Sequence, residues 1–343
     1  MLPIRTRLLA TVVAPLLVVG LAACAQVEPE ALPTPTPAPT ETVAAPTLPT
    51  SRVPATCDEL FTSDLVSGGS AVTEADPVSR QAGYLLCTYE GTIGAAAARL
   101  SIDIAVDPPS GALTGAIEVY EGLPGVTIGV AGEESYLSCF DDYSYCAAEF
   151  VSGSYAAGLV VNQGAAGDEA SLSIQSFLRE LAARVASWPS PEPAWQAPVE
   201  SLRWSGDCEG EVREAQDVVR SAVPFPLQNA ESGLGPDATS AYYWSREATG
   251  YTLCTWFGDL STVSVEILPG GAWMFQAGVP LAGEPYQLDG ALAAAVDTQY
   301  GNYQLGAYID GSFVVVTVSP PFESGIDPDP IAVAVIEALV AAF

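Results

Sequence analysis

The side chains able to do chemistry in this chain are carboxylates and thiols. There are 41 Asp plus Glu and seven Cys, but no His. All 11 basic residues are Arg, and Lys is absent. Without His or Lys the chain cannot assemble a Ser-His-Asp or Cys-His site, a Schiff base, a Walker lysine or a His-ligated zinc. Two acids suffice for a glycosidase, and Asp141-Asp142 and Asp327-Pro328-Asp329 are the notable groupings. Acids this abundant fall side by side by chance, however, and Asp329 reads as a helix N-cap ahead of Pro330. Calcium would need a D-x-D-x-D-G type of loop, and none is present. No metal and no cofactor are expected. A formal charge of −30 argues against nucleic acid, whose phosphates demand clustered cations.

The elements that must position these groups come in two copies. Gly83-Tyr84-Leu85-Leu86-Cys87-Thr88-Tyr89-Glu90-Gly91 matches Gly250-Tyr251-Thr252-Leu253-Cys254-Thr255-Trp256-Phe257-Gly258. Each copy has an upstream Cys, Cys57 or Cys208, at the head of a helical segment. Each continues into an alternating strand: Leu100, Ile102, Ile104 and Val106 in one, Val263, Val265 and Ile267 in the other. Asp103 and Glu266 lie on the opposite sides of those strands. Val151-Ser152-Gly153-Ser154-Tyr155 then aligns with Ile309-Asp310-Gly311-Ser312-Phe313, each entering a further apolar strand. Each copy closes with a helix. Ile174, Phe177, Leu178, Leu181, Val185 and Trp188 recur at spacings of three and four. The closing segment Ile331–Phe343 is apolar apart from Glu337, which predicts burial on more than one side, between the two copies.

This order predicts an α+β fold: two repeated modules, each an antiparallel sheet with N- and C-terminal helices packed on one face. The first module spans 57–188 and the second 204–343. Residues 189–203, with Pro189, Pro191, Pro193 and Pro198, form a short, stiff join. A packed pair with pseudo-two-fold character follows.

Setting Cys24 aside for the leader, six Cys allow 15 connectivities in an exported protein. The repeat narrows them. Cys57 and Cys87 occupy the slots of Cys208 and Cys254, so bonds 57–87 and 208–254 are equivalent, and Cys139 and Cys146 remain as a bridged hairpin. The second copy has Asp297 and Gln304 at those positions.

The N-terminus reads as an address. Arg5 and Arg7 precede an uncharged stretch from Leu8 to Ala23, too short to span a bilayer. It ends in Leu21-Ala22-Ala23-Cys24, which resembles the lipobox of bacterial lipoproteins. That resemblance implies a signal peptide over 1–23, cleavage before Cys24, and a diacylglyceryl group on its thiol with acyl chains of the palmitate type. Two chains give stable attachment where one is marginal. Residues 24–56 then form a disordered Pro/Thr-rich tether, with Pro33-Thr34-Pro35-Thr36-Pro37 favouring an extended conformation.

Taken together, the lipobox, the tether, the helix-heading Cys, the second Cys in a Gly-aromatic strand and the closing amphipathic helix resemble actinobacterial cell-envelope lipoproteins of uncharacterised function. More distantly, the modules resemble the disulfide-bonded extracellular sensor domains of some mycobacterial serine/threonine kinases, although no kinase accompanies them here. The resemblance implies an extracytoplasmic protein, lipid-anchored at the outer face of the cell membrane. It implies ligand binding or envelope interaction and supplies no catalytic residues.

The aromatics Tyr243, Trp244 and Trp273 are candidates to line a groove between the modules that would hold a small molecule or an envelope protein or glycan. Core packing is the alternative role for them. The expectation is a non-enzymatic, membrane-tethered binding protein. A carboxylate-based hydrolase of cell-wall glycans and a structural envelope spacer are the alternatives.

Overall fold

The computed structural model describes residues 48–61, 66–73, 76–93, 96–139, 145–163, 167–202, 208, 213–227, 229–232, 240–258, 261–298, 302–321 and 324–342. The leader, Cys24, the tether up to residue 47, and Asp141-Asp142 lie outside the described residues.

The first module runs α1 (Cys57–Leu60), β1 (Val66–Thr73), α2 (Pro77–Ala82), β2 (Leu85–Ile93), β3 (Ala96–Val106), α3 (Thr114–Tyr120), β4 (Val126–Ile128), β5 (Ser135–Cys139), β6 (Tyr145–Ser152), β7 (Tyr155–Gln163) and α4 (Gly167–Ala186). The second repeats that order, element for element. It runs α5 (Arg213–Ala222), β8 (Asn229–Ser232), α6 (Ser240–Thr249), β9 (Thr252–Phe257), β10 (Thr262–Leu268), α7 (Trp273–Gln276), β11 (Glu284–Tyr286), β12 (Ala293–Asp297), β13 (Tyr303–Ile309), β14 (Ser312–Ser319) and α8 (Asp329–Ala342). The sheets share one topology. The first is ordered β1-β2-β3-β7-β6-β5-β4 and the second, read from its other end, β8-β9-β10-β14-β13-β12-β11. Every pairing within them is antiparallel. The fold is α+β, as the sequence predicted.

Alternation sets the cores. Leu100, Ile102 and Ile104 are wholly buried beneath α4, whose stripe of Ile174, Phe177, Leu178, Leu181 and Val185 is buried with them. Val263, Val265 and Ile267 do the same with Ile331, Val335, Ile336 and Leu339 of α8. The second apolar side of α8 faces α5 of its own module and not the other module. A narrow helix fully apolar around its girth needs two neighbours, and α5 is the nearer one to hand.

The three disulfides pair as the repeat indicates: Cys57–Cys87, Cys208–Cys254 and Cys139–Cys146. The first two share a Cα–Cα distance of 5.5 Å and tie the head of each module to its second strand. Cys139 and Cys146 face each other directly across β5 and β6, and Asp297 and Gln304 face each other in the same slot of β12 and β13. Bonds of this kind belong to oxidising compartments, so the chain fits an extracytoplasmic protein. Among the described residues, no helix is long and apolar enough to cross a membrane.

The sequence reading passed over α2, β1 and β4. The start and stop of α2 were nevertheless written locally. Asp76 caps it by accepting from the N–H of Ser79 at 2.7 Å, Pro77 occupies the first turn, and Gly83 ends it at φ +79°. A Cβ at Gly83 would also lie 2.4 Å from Arg52 Cδ, so the residue answers both to the turn and to the incoming chain.

Candidate functional site

The second and sixth helices, α2 and α6, occupy the face of each sheet opposite the closing helices, and they pack on one another. The exchange is reciprocal. Helix α6 of the second module lies on β3 and β7 of the first, with Ala241 buried in the first core and Trp244 packed against it. Helix α2 of the first module presents Val78 to an apolar cluster of the second: Leu268, Trp273, Met274 and Tyr308.

This placement corrects the proposed aromatic cleft. Trp273 is 4% exposed. Its indole N–H donates to Gln81 Oε1 at 2.9 Å, the Gln81 amide donates to the Pro269 carbonyl at 2.7 Å, and the Arg80 guanidinium sits 4.8 Å over the ring. Trp244 is half-buried against the other module, and Tyr243 is half-buried on the same helix. Trp244 and Trp273 both lie at the junction, each packed as its filling. Apolar faces left over by two duplicated sheets are stabilised most by covering each other.

A concave surface among the described residues lies elsewhere. A groove of about 850 Å³ runs between the entering segment and the inter-module linker, lined by Leu48, Thr50, Ser51, Arg52, Glu192, Trp195 and Gln196 among others. Both walls are extended chain, and both are strapped down. Arg52 donates its backbone N–H to the Gly83 carbonyl at 2.7 Å, its Nε to the Glu192 carbonyl, and Nη2 to the Asp107 carboxylate. Tyr155 donates to the Pro189 carbonyl at 2.8 Å and packs edge-on against Trp188. At the other end, Leu202 and Asp310 bond through the backbone, and Ser312 donates to the Leu202 carbonyl. Gly270 stays bare of a side chain because a Cβ there would meet Ala197 Cβ at 2.6 Å and the Trp195 ring at 2.8 Å. The linker therefore answers to both modules. Trp195, counted in sequence only as part of a Pro-rich join, is the aromatic wall of the groove. A Trp among prolines was the available hint.

Of the acids singled out in sequence, Asp327 and Asp329 stand at the start of α8, and Asp141-Asp142 lie outside the described residues. Asp329 does not stand free at a cleft: it accepts the Tyr303 hydroxyl and, at 3.3 Å, that of Tyr286, while Asp327 accepts its backbone N–H. These contacts brace the start of α8 against β11 and β13. Burial, with the neighbouring Asp329, pushes the Tyr303 hydroxyl well above its ordinary range. One buried acid went unnoticed in sequence. Glu149 on β6 is 5% exposed. It accepts from the Ser240 N–H at 2.6 Å, the Ser240 hydroxyl at 2.8 Å and the Tyr136 hydroxyl at 3.0 Å. Desolvation raises its pKa, opposed by these hydrogen bonds. A lone Glu between Ala148 and Phe150 in an apolar strand was the signal for it. Among the described residues, no group of three or more His, Cys, Asp or Glu is placed to hold a metal ion.

No family model matches the chain, and no curated protein matches it. Among solved structures, the crystal structure of MucB in complex with MucA(peri) covers 78% of this chain and 86% of that chain at 12% identity. Its TM-score is 0.16, and at that value the likeness carries no argument.

Proposed function

We propose that this chain is a lipoprotein held at the outer face of the cell membrane through Cys24, and that its two-module head is a non-catalytic binding unit. The groove beside Trp195 is the observation that carries the binding half. Its lining combines the Trp195 side chain and linker prolines with Thr50, Ser51, Arg52 and Gln196, a mixed apolar and polar surface suited to a hydroxylated ligand such as an envelope glycan. Among the lining residues the carboxylate is that of Glu192 alone, whereas glycoside hydrolysis asks for two acids facing across roughly 5–9.5 Å. That favours binding over turnover. The leader and residues 24–47 support the anchor, since they precede Leu48; residues 48–56, expected as part of the disordered tether, instead form the groove wall and place Val53 in the first core.

The binding half is tested with the full-length protein in detergent, titrated with soluble wall-glycan fragments and followed by calorimetry. Saturable binding by the native chain and its loss in Trp195→Ala are expected. Equal binding by both, or none by either, would remove the groove from the account. The anchor is tested separately by metabolic labelling with an alkyne fatty acid. Cys24→Ser should lose the label and leave the membrane fraction, and a labelled Cys24→Ser protein would refute lipidation at this thiol.

A further inference from the structure

The register across the first sheet places Leu86, Asp103, Gly158, Glu149, Tyr136 and Ile128 in one row, on the face that receives α6. Gly158, without a side chain, stands between the two acids, and the helix crosses there. At the end of that helix Glu149 takes over capping: one oxygen accepts the Ser240 N–H, the other the Ser240 hydroxyl. The first module thus supplies the terminal acceptor for a helix of the second. The second module has no counterpart, since its row reads Leu253, Glu266, Val315, Gly306, Ala295 and Pro285, with Gly306 where Glu149 would stand.

We propose that the Glu149–Ser240 contact is a pH-operated clasp between the modules, tightening the seat of α6 on the first sheet as the surroundings acidify and loosening it as pH rises. The direction follows from what the docked carboxylate lacks. It is buried against donors that are all neutral, so its charge is desolvated without a cation to compensate it. When α6 lifts away, the same carboxylate regains water. The docked state therefore holds a proton that the undocked state releases, and the seat weakens as pH climbs above the ordinary Glu range towards the docked value, then levels off. Several titratable groups surround Glu149, and the Tyr136 hydroxyl, donating to it, opposes the rise. Tyr136 faces Glu149 from β5, with Tyr120 of α3 against its ring and Tyr145 on the same side of β6. Asp103 lies two strands away on β3, roughly 10 Å by strand spacing. On α6 itself, Arg246 and Glu247 sit about 9–10 Å further along the helix axis.

The experiment is hydrogen exchange of residues 240–249 in the full-length protein in detergent, from pH 4.5 to 8, corrected for intrinsic rates. Protection of α6 should fall by up to tenfold per pH unit over the sensitive window and then level. Glu149→Gln, whose carbonyl can still accept the Ser240 N–H and whose amide can face the Ser240 hydroxyl, should flatten the profile while holding protection at high pH. Tyr136→Phe removes a donor that favours the ionised carboxylate, so the whole profile should shift to higher pH. A profile that rises with pH, or that persists unchanged in Glu149→Gln, overturns the proposal. If Glu149→Gln does not fold, an unmoved profile in Tyr136→Phe overturns it instead.

Discussion

The two halves of the junction solve one docking problem with opposite chemistry. Where α2 meets the second module, the contact is mainly apolar: Val78 against Leu268, Met274, Tyr308 and the Trp273 ring, with the buried Gln81 amide pairing the Trp273 N–H and the Pro269 carbonyl. Where α6 meets the first module, the end of the helix is received by a buried carboxylate. The modules share their disulfide, sheet order and hairpins, yet diverge in the row beneath the docked helix, Gly158-Glu149 in one against Val315-Gly306 in the other. The shared features are those internal to each module. Duplication left free the face that only the partner module sees. An apolar seat is insensitive to pH, whereas a desolvated carboxylate is not, so the two contacts should fail under different conditions.

The comparison breaks most visibly at Trp273. Trp273→Ala should lower the stability of the junction by roughly 3–5 kcal/mol, as for other large buried aromatics, and should separate the unfolding of the modules into two denaturant transitions. A single, unshifted transition would show that the apolar seat is dispensable. The disulfides come next, and they rank by loop length. Bond 208–254 closes a separation of 46 residues and 139–146 one of 7. Chain entropy then assigns about 4 kcal/mol to the first and about 2.5 to the second. Double Ser replacement of each pair, read by denaturation midpoints, should follow that order, with the loss from Cys208→Ser/Cys254→Ser concentrated in the exchange protection of the second sheet. Equal loss in both sheets would contradict independent staples.

Glu149→Ala should cost about 1–3 kcal/mol, because the part-buried Ser240 N–H is left without its acceptor. That is less than the Trp273 variant, and the cost should be felt in α6 before it is felt in α2. The smallest expected effect lies at alkaline pH. Burial lifts the Tyr84 hydroxyl to about 12, although Arg52 opposes the rise. A tyrosine raised in the folded state contributes full stability below pH 10 and loses it between 10 and 12. Urea midpoints should therefore be flat to pH 9 and decline beyond 10, with Tyr84→Phe shallower over that span.

Much of this was legible without coordinates, and the reasons are local. The matching segments around Cys87 and Cys254 fixed the duplication, and with it two of the three bonds. The 2.0 and 3.6 periods separated Leu100–Val106 from Ile174–Val185, because strands alternate faces and helices return every three to four residues. The missing His and Lys limited the chemistry. What periodicity could not reveal was the partner of each face. Trp273 and Trp195 look alike in sequence, as large aromatics beside turn-formers. One is sealed under α2 and the other packs at the edge of the same apolar cluster and lines the groove, and only the path of the linker and the crossing of α2 with α6 decide which. Glu149 is the same case in a single residue: its strand announces burial, but the helix end that makes the burial tolerable lies 91 residues away in the chain. Contacts so distant in sequence leave no period behind, so the elements could be derived from short-range sterics and hydrophobic spacing, while the junction and groove arise only when the two copies fold against each other.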